Sequence, residues 1–361
     1  MTSHAAAPQH ISFAPTAQQR SDSDARKWIA DILKLAQGAC GDPTELIATL
    51  KAQATTPPVL SPTTVNDIWS GLASVAAYDL TIARAVEPHL DAAAILHQAG
   101  HAWTPHSFRG VYAAESGSTP LQANQVSNPE TGWELNGPKP WCSLADKVTH
   151  AIVSAHTDDG RRTFTVDMQD QHVQVDSSPW PSNGLANIPS GGVQFTGAPA
   201  HPVGATNWYL ERPGFALGGV GVAAIWFGGA VGIFRSLQQA THRREPDQLA
   251  LAWLGEADRH LHAGAAILAQ AVAEVEKAEQ DDFSDLNFSW PTALRIRGAI
   301  AEICERIITI SAHALGPGPL TVDADHLRRV ADLSVYIRQH HAARDDAALG
   351  RFVLEGKLPS W

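Results

Sequence analysis

The sequence has few of the residues that build disulfide-linked or metal-bound scaffolds. It contains three cysteines in 361 residues, and they are widely separated, at Cys40, Cys142 and Cys304. Because no two of them form a C-x-x-C pair, the sequence predicts neither a disulfide framework nor a zinc site, and no metal site is expected. This cysteine usage fits a reducing compartment, so a cytoplasmic location is expected.

Clustered positive charge and a secretory signal are also missing. The 26 Lys and Arg residues are scattered and outnumbered by 37 Asp and Glu residues, which leaves a formal net charge of −11. Nucleic-acid binding requires a basic face, so no nucleic-acid partner is expected. Residues 1–20 lack the basic and then apolar order of a secretory signal, and they are interpreted as a flexible polar arm.

One apolar segment is long enough to span a bilayer. Gly214–Phe234 carries no charged residue over about 20 positions, which is the length that a membrane helix needs. Its flanks have no aromatic belt and no second such segment follows, which favours a buried helix of a bundle over a membrane span. No membrane partner is therefore expected.

The distribution of apolar and turn-forming residues divides the rest of the chain into three parts. Residues 21–108 and 206–361 show the helical spacing of apolar residues, whereas residues 109–205 show short alternating runs separated by turn residues. With 44% apolar residues, the chain is long enough for two or three domains. The pattern predicts an α+β fold with an N-terminal helical domain, a central antiparallel β-barrel or sandwich, and a C-terminal bundle of four long helices.

The sequence predicts a helix break at Pro88 and a continuous helix near the C-terminus. The Ala-rich segment 65–100 is interpreted as two helices interrupted at Pro88, because a proline removes a helical hydrogen bond and crowds the preceding turn. The fourth bundle helix is predicted to run unbroken over Ala324–Leu354. Such a helix would place His340 and Arg344 on one face.

Four short motifs follow one another in an order that resembles the acyl-CoA dehydrogenase family. They are AAESGSTP at Ala113–Pro120, GPKPWCS at Gly137–Ser143, ALGPGPL at Ala314–Leu320 and HHAARDDAALG at His340–Gly350. The first is similar to the family's Glu-x-x-x-Gly-Ser segment and the second to its Gly-x-Lys-x-Trp-Ile-Thr segment. The last two resemble its Gly-rich turn and the Arg-Asp-Ala of its last long helix. The resemblance covers nearly the whole chain and implies an acyl-CoA dehydrogenase-like fold.

The resemblance also implies an FAD bound between the β domain and the C-terminal bundle. In the family the Trp packs against the flavin ring, and the nearby hydroxyl donates a hydrogen bond near the redox nitrogen, which assigns Trp141 and Ser143 to FAD. Glu115 and Ser118 of the first motif are assigned to the cofactor as well, and Ser118 with Leu121–Gln125 is expected at the pyrophosphate. The alternative is that Trp141 is a core aromatic residue and Ser143 part of a turn.

The same resemblance assigns arginines to the cofactor and implies that the protein is a homo-oligomer. Subunits of the family complete each other's flavin sites, so a homodimer or homotetramer is implied. The family's Arg after the first bundle helix reaches the partner's FAD, and Arg243 or Arg244 occupies that place here, although the family's Phe-Gly is absent. A solvated helix end is the alternative for both. Arg344 is also assigned to the cofactor.

An acyl-CoA dehydrogenase needs a carboxylate base to remove the α-proton of its substrate while the β-hydride passes to the flavin. Glu355 is similar to the family's Glu-Gly-Thr base, but it lies two residues too far from Arg344 and the Thr is absent. Other members carry the base on the first bundle helix, where Gly219–Gly229 has no carboxylate. The first hypothesis is dehydrogenation of an acyl thioester with Glu355 as base, and a solvated Glu355 in a C-terminal tail is the alternative.

Two further hypotheses remain open. Two-component flavin monooxygenases of related fold often place a histidine in the region of His340 and His341, near the flavin. The second hypothesis is therefore a monooxygenase that uses reduced flavin and oxygen, in which one of these histidines stabilises a flavin hydroperoxide or deprotonates a substrate hydroxyl or amine. An exposed or capping pair is the alternative role for them. The third hypothesis is a non-catalytic flavin-binding descendant of the family.

Overall fold

The computed structural model describes residues 10–14, 23–115, 119–127, 132–243, 245–278, 286 and 288–358. Within these residues the chain forms four N-terminal α-helices, then a seven-stranded sheet, and then seven further α-helices. This order confirms the predicted α+β organisation, with helical regions on either side of a central sheet domain.

The N-terminal helices are α1 (Asp24–Gly38), α2 (Thr44–Ala52), α3 (Val65–Tyr78) and α4 (Leu80–Gln98). The α4 helix is capped by Asp79, whose carboxylate accepts a hydrogen bond from the N–H of Ile82. It continues through Pro88, so the predicted interruption at that residue is wrong. Most of α4 is buried, and this packing outweighs the hydrogen bond that Pro88 cannot make to the carbonyl of Arg84.

Residues 10–14 of the expected flexible arm are packed against α3. The N–H of Ile11 donates to Oγ of Ser74 at 2.9 Å. The N–H of Phe13 donates to Oγ of Ser70 at 3.1 Å, and the Phe13 side chain is only 1% exposed. The interpretation as a flexible arm is wrong for this segment, because burial of the aromatic ring stabilises it against the helix.

The strands are β1 (Arg109–Tyr112), β2 (Gln122–Gln125), β3 (Trp133–Lys139), β4 (His150–Thr157), β5 (Gly160–Asp167), β6 (Val173–Val175) and β7 (Val193–Val203). The strands β4, β2, β3, β7 and β5 pair in turn, and β5 pairs back to β4, so these five strands close into a barrel. Strand β1 adds to β4 and β6 adds to β7. The pairs of β4 with β1 and β2 are parallel, which departs from the predicted antiparallel pattern, because long connections rather than hairpins join these strands.

The C-terminal helices are α5 (Trp208–Glu211), α6 (Gly214–His242), α7 (Gln248–Val275), α8 (Trp290–Leu315), α9 (Pro319–Val322), α10 (Ala324–Tyr336) and α11 (Ala343–Leu354). The predicted fourth bundle helix is divided: a 3₁₀ turn at Ile337–Gln339 follows α10, and His340 is extended. The prediction of one unbroken helix is therefore wrong, and His340 and Arg344 do not share a helix. The guanidinium of Arg297 donates to the carbonyl oxygen of Gln339 at 3.1 Å, which stabilises the open turn.

The α6 helix is the centre of the helical part and packs against α3, α4, α7, α8 and α10. Among the described residues it is the one helix long and apolar enough to cross a bilayer. In this structure 78% of its most apolar window is buried inside the protein. Most of its apolar surface therefore contacts protein.

A carboxylate of α10 joins three parts of the chain. Asp332 accepts from Oγ1 of Thr81 in α4 at 3.1 Å, and from the N–H of Leu185 in the connection between β6 and β7 at 2.6 Å. Burial raises the pKa of Asp332, and these two hydrogen bonds oppose that rise. The contacts fix α4, α10 and the β domain relative to one another, at the place where the candidate site lies.

Candidate functional site

The GPKPWCS motif covers the end of β3 and the turn that follows it, and Trp141 lies in that turn. Trp141 adopts a left-handed backbone conformation, with a φ of +60°, and is 58% exposed. The N–H of Cys142 donates to the carbonyl oxygen of Gly191 at 2.9 Å, and the N–H of Leu144 donates to that of Pro189 at 2.8 Å. These contacts hold the indole at the surface in a conformation that is rare for a bulky residue, so Trp141 is not a core aromatic residue.

Behind this turn, Ser143 joins the β domain to α4. Nη2 of Arg84 donates to Oγ of Ser143 at 2.9 Å, and the same oxygen lies 2.8 Å from Oγ of Ser190. The hydroxyl of Tyr112 donates to the carbonyl oxygen of Ser143 at 3.0 Å. Ser143 is therefore held by groups from α4, from β1 and from the connection that precedes β7.

One turn further along α4, Glu87 lies beside Arg84. Their side chains approach to 3.7 Å, and the side chain of Glu87 is 16% exposed. Burial raises the pKa of Glu87 to about 7, and the charge of Arg84 opposes that rise. The group therefore changes between acid and base near neutral pH. No motif marks Glu87 in the sequence; the available signal is a carboxylate inside an Ala-rich apolar helix.

Two large polar side chains come from the C-terminal bundle. Arg297 of α8 donates to the carbonyl oxygen of Gly219 at 2.7 Å, and its guanidinium lies 4.6 Å from the ring centre of Trp226. Tyr336 of α10 lies under Arg84, with 5.4 Å between the guanidinium carbon and the ring centre. The hydroxyl of Tyr336 is buried without a hydrogen-bond partner in the described part of the chain, and burial raises its pKa.

These side chains act on each other electrostatically. The charges of Arg84 and Arg297 lower the pKa of Glu87, and the charge of Glu87 raises that of Tyr336. We call Arg84, Glu87, Arg297 and Tyr336 the inner polar cluster. It combines a carboxyl group of near-neutral pKa, two cations and a hydroxyl without a partner among the described residues, so it places an acid–base group beside polar groups that are not fully hydrogen-bonded.

The two predicted histidines have different surroundings. The side chain of His341 is 65% exposed, whereas that of His340 is 10% exposed and lies 3.8 Å from Asp345. Nε2 of His340 has no hydrogen-bond partner among the residues that the structure describes. It faces α8 next to Arg297, since a Cβ on Gly298 would lie 3.5 Å from it. His340, rather than His341, therefore lies beside the inner polar cluster.

Three other predicted residues lie on the surface of the helical part. Glu355 follows the last turn of α11, where its side chain is 52% exposed and lies 2.8 Å from Nζ of Lys357. Arg344 is exposed in the first turn of α11, and Arg243 is exposed at the end of α6. An exposed carboxylate paired with a lysine is not in the dry environment that a base for carbon acids needs.

The remaining predicted residues belong to the first motif and to the end of α6. Oε1 of Glu115 lies 2.9 Å from Nε of Arg161 and 3.1 Å from Nε2 of His156, so the carboxylate has partners within the β domain. Ser118 and Arg244 lie outside the described residues. The expected contacts of Glu115, Ser118 and Arg244 with a cofactor stay predictions.

An open groove of about 350 Å³ lies on the β domain next to the Trp141 turn. Its lining consists of Pro138, Gln174, Val175, Asp176, Ser177, Gly192, Val193 and Gln194. The lining includes the carboxylate of Asp176 and contains neither Lys nor Arg. The groove therefore does not favour the negative charge of a phosphate group.

The sequence matches no family model and no curated protein. Solved structures are similar to it in fold. KijD3 in complex with FMN and dTDP-3-amino-2,3,6-trideoxy-4-keto-3-methyl-D-glucose has a TM-score of 0.77 and 18% identity, over 97% of this chain and 98% of its own. FMN-bound TdsC from Paenibacillus sp. A11-2, a dibenzothiophene monooxygenase, has a TM-score of 0.75 and 15% identity, over 93% and 98%.

A third similar structure is a glutaryl-CoA dehydrogenase from Mycobacterium smegmatis in complex with FADH2. It has a TM-score of 0.76 and 16% identity, over 94% of this chain and 96% of its own. The alignments cover the N-terminal helices, the barrel and the C-terminal bundle together. The chain therefore has the acyl-CoA dehydrogenase fold that its motifs predicted.

Proposed function

We propose that this protein is a flavin-dependent oxygenase that receives a reduced flavin and uses oxygen to oxygenate a small polar substrate. The observation that carries the proposal is the inner polar cluster behind Ser143. Arg84 contacts both Ser143 and Glu87. The inner polar cluster therefore lies directly beside Ser143, the residue assigned to the flavin. An apolar acyl chain placed against these groups would leave them without polar partners, which is costly in a buried site.

The Trp141 turn suits a flavin ring. Its exposed indole offers a planar surface for an aromatic ring, and Ser143 offers a polar contact beside it. A reduced flavin supplies the electrons for oxygen activation, a chemistry that side chains lack. KijD3 and TdsC were solved with FMN, and TdsC is a dibenzothiophene monooxygenase, which supports an oxygenase over a dehydrogenase. FAD, the form that the motifs imply, is tested beside FMN below.

The inner polar cluster would bind the substrate and handle its proton. Glu87, with a pKa of about 7, accepts a proton from a substrate amine or hydroxyl and makes that atom more nucleophilic. The hydroxyl of Tyr336, which has no partner among the described residues, would donate a hydrogen bond to a polar substrate group. Nε2 of His340 is a second free partner at the edge of the cluster, as far as the described residues show.

Dehydrogenation of an acyl thioester is the second candidate, and Glu87 is the observation that favours it. A buried carboxylate with a raised pKa is the kind of base that removes a proton from carbon. Glu355 is exposed and paired with Lys357, so Glu87 takes the place of the expected base in this candidate. The likeness to a glutaryl-CoA dehydrogenase is compatible with it.

Two assays on the purified protein separate these functions. In the first, a separate reductase supplies reduced FMN or reduced FAD under air to a panel of amines, phenols and thioethers, and mass spectrometry detects products that gain one oxygen atom. In the second, the protein with oxidised flavin is mixed anaerobically with acyl-CoA thioesters, and the flavin absorbance is followed. We expect oxygenated product in the first assay and unchanged absorbance in the second.

Each other result has a definite meaning. If an acyl-CoA bleaches the flavin absorbance and no oxygenated product forms, the proposed oxygenase function is wrong and the dehydrogenase function takes its place. Flavin binding without turnover in either assay would favour the non-catalytic descendant. Glu87→Gln should lower product formation by about 100-fold or more, whereas Glu355→Gln should not. Light scattering on the same sample tests the proposed homodimer or homotetramer.

A further inference from the structure

A second carboxylate of α4 lies one helical turn beyond Glu87. Asp91 follows Glu87 by four residues, so the two side chains share a face of the helix. Asp91 points toward α6, since a Cβ on Gly218 would lie 3.4 Å from its Oδ1. Arg297 of the inner polar cluster binds the carbonyl oxygen of the next residue, Gly219. Asp91 therefore borders the inner polar cluster on the side of α6.

Arg212, in the connection between α5 and α6, holds Asp91 in place. Its Nη2 donates to Oδ1 of Asp91 at 2.8 Å, and its Nη1 donates to Oε1 of Gln98 at 3.1 Å. The side chain of Arg212 is only 1% exposed. Gln98 follows Asp91 along α4, so Arg212 lies on the side of Asp91 that is remote from Glu87. The ion pair therefore presents its negative end to Glu87 and its positive end away from it.

We infer that the Asp91–Arg212 ion pair adjusts the proton affinity of Glu87 by fixing a negative charge one helical turn away from it. Asp91 and Arg212 are then positioning residues, which act through Glu87. The catalytic consequence rests on the proposed function, because it takes Glu87 as the group that accepts the substrate proton.

The charged groups that act on Glu87 come from α4 and α8. Burial is the main cause of its raised pKa, and the charge of Arg84 opposes that rise. The charge of Asp91 adds to the rise, and that of Arg297 opposes it. Among the charges that reach Glu87 from the described residues, Asp91 is thus the one anion beside two cations. Two hydroxyls also lie near Glu87, and burial raises the pKa of both, so they stay neutral at pH 7: Tyr209 of α5 and Tyr336 of α10.

The ion pair gives Glu87 a proton affinity that suits a base. A base accepts a substrate proton most effectively when its pKa lies near the working pH. Two guanidinium groups alone would shift the pKa of Glu87 downward and make it a weaker base. The charge of Asp91 counteracts this shift, and Arg212 orients Asp91 without bringing its own charge next to Glu87.

Infrared titration of the Glu87 carboxyl group tests the inference without any turnover. The absorption of protonated carboxyl groups is measured against pH for the wild type, Asp91→Asn, Arg212→Met and the double variant. Each protein is compared with the same protein carrying Glu87→Gln, so that the difference reports Glu87 alone. Asparagine keeps an oxygen that accepts from Arg212, and methionine keeps an unbranched side chain without the charge. Thermal unfolding confirms that each variant is folded.

The matched control is an ion pair of similar geometry that joins α1 to α3. Nη2 of Arg26 lies 3.1 Å from Oδ1 of Asp67, and the side chain of Asp67 is 11% exposed. Neither residue belongs to the helices that carry charge to Glu87. Asp67→Asn and Arg26→Met should therefore leave the titration midpoint of Glu87 unchanged.

The two halves of the Asp91–Arg212 pair should shift that midpoint in opposite directions. Asp91→Asn removes the near negative charge and should lower the midpoint by about one pH unit. Arg212→Met removes the remote positive charge and should raise the midpoint by roughly half as much. The double variant should lie between Asp91→Asn and the wild type. If Arg212→Met does not fold, the double variant, which leaves no unpaired charge, takes its place in the comparison.

Two results would overturn the inference. One is a wild-type midpoint of Glu87 in Asp91→Asn. The other is a shift of both single variants in the same direction, since a merely structural loss does not depend on the sign of the charge that is removed.

The pH dependence of oxygenation separates this inference from the proposed function. The rate should rise with pH as Glu87 ionises, and in Asp91→Asn the rise should move to lower pH by the same amount as the infrared midpoint. If the infrared midpoints shift as expected but the rate profile does not, Glu87 is not the base and that part of the proposed function falls. The electrostatic role of the Asp91–Arg212 pair then stands, as it also does if the wild type forms no oxygenated product.

Discussion

Gly228 of α6 lies directly against the backbone of Ala73 in α3, such that a Cβ on Gly228 would be 2.1 Å from the carbonyl oxygen of Ala73. Carbonyl oxygens of a helix cannot move without displacing the helix. We therefore expect Gly228→Ala to lower the free energy of unfolding by about 1–3 kcal/mol, as overpacking of a core does. Denaturant unfolding followed by circular dichroism measures the change.

The control for this variant is another helical glycine with space around it. Gly255 in α7 has nothing described within 4 Å of the place where its Cβ would be. Since alanine has the higher helix propensity, Gly255→Ala should raise the free energy of unfolding by up to about 1 kcal/mol. Equal effects of the two substitutions would contradict the close contact of α3 and α6.

The three cysteines should differ sharply in reactivity. Cys40 is exposed, whereas Cys142 and Cys304 are buried. Burial raises the pKa of Cys142 to about 12 and that of Cys304 above its ordinary value as well, so neither forms a thiolate readily in the folded protein. A thiol reagent at mildly alkaline pH should label one cysteine per folded chain quickly and all three after unfolding in denaturant. Cys40→Ser should abolish the fast phase, and rapid labelling of a second thiol in the folded protein would show that the burial is wrong.

The order of helices, barrel and helices is predictable from the sequence because the spacing of buried apolar residues differs between elements. A strand buries alternate residues, whereas a helix buries residues three or four positions apart. The alternating runs of residues 109–205 form strands that bury one face inside the barrel. The long helices bury an apolar stripe inside the bundle. The Trp141 turn is predictable for another reason: a compact motif marks it within a few residues, although the contacts that hold it come from Pro189 and Gly191, far along the sequence.

Other features depend on contacts between residues far apart in the sequence. The break before α11 is stabilised by Arg297, which lies 42 residues before Gln339, the residue whose carbonyl oxygen it binds. The continuation of α4 through Pro88 depends on packing against other elements. Glu87 belongs to no motif, and its raised pKa exists only when the fold buries it. Local propensity and motif spacing carry no information about such contacts.

Trp141 should matter for the flavin and not for folding. Its side chain is 58% exposed, so Trp141→Ala should change the free energy of unfolding by about 0.5 kcal/mol or less. Loss of an aromatic contact worth about 0.5–1.5 kcal/mol should weaken binding of reduced flavin roughly three- to tenfold. Trp141→Phe keeps a planar ring and should retain most of the affinity. Anaerobic titration measures both variants, and wild-type affinity in Trp141→Ala would remove the indole from the flavin site.

Glu87 should make the stability of the protein depend on pH in a defined window. Its pKa is about 7 in the folded chain against an ordinary value of 4.5, so the folded state binds the proton more tightly than the unfolded state. Below pH 4.5 both states are protonated and burial of the neutral group has no ionic cost. Between pH 4.5 and about 7 the unfolded chain ionises first, and the free energy of unfolding falls by about 1.4 kcal/mol per pH unit through this group. Above that window both states are ionised and the loss is complete.

Glu87→Gln isolates this contribution, because glutamine has a similar shape and cannot ionise. At about pH 4 the variant and the wild type should have similar free energies of unfolding, and the variant should become progressively more stable than the wild type as the pH rises to about 7. Glu355→Gln, at an exposed position, is the control and should follow the wild type throughout. Chemical denaturation at a series of pH values gives the three curves. Parallel curves for wild type and Glu87→Gln would mean that the carboxyl group is hydrated in the folded protein, and the inner polar cluster would then be too open to act as a dry site for proton transfer.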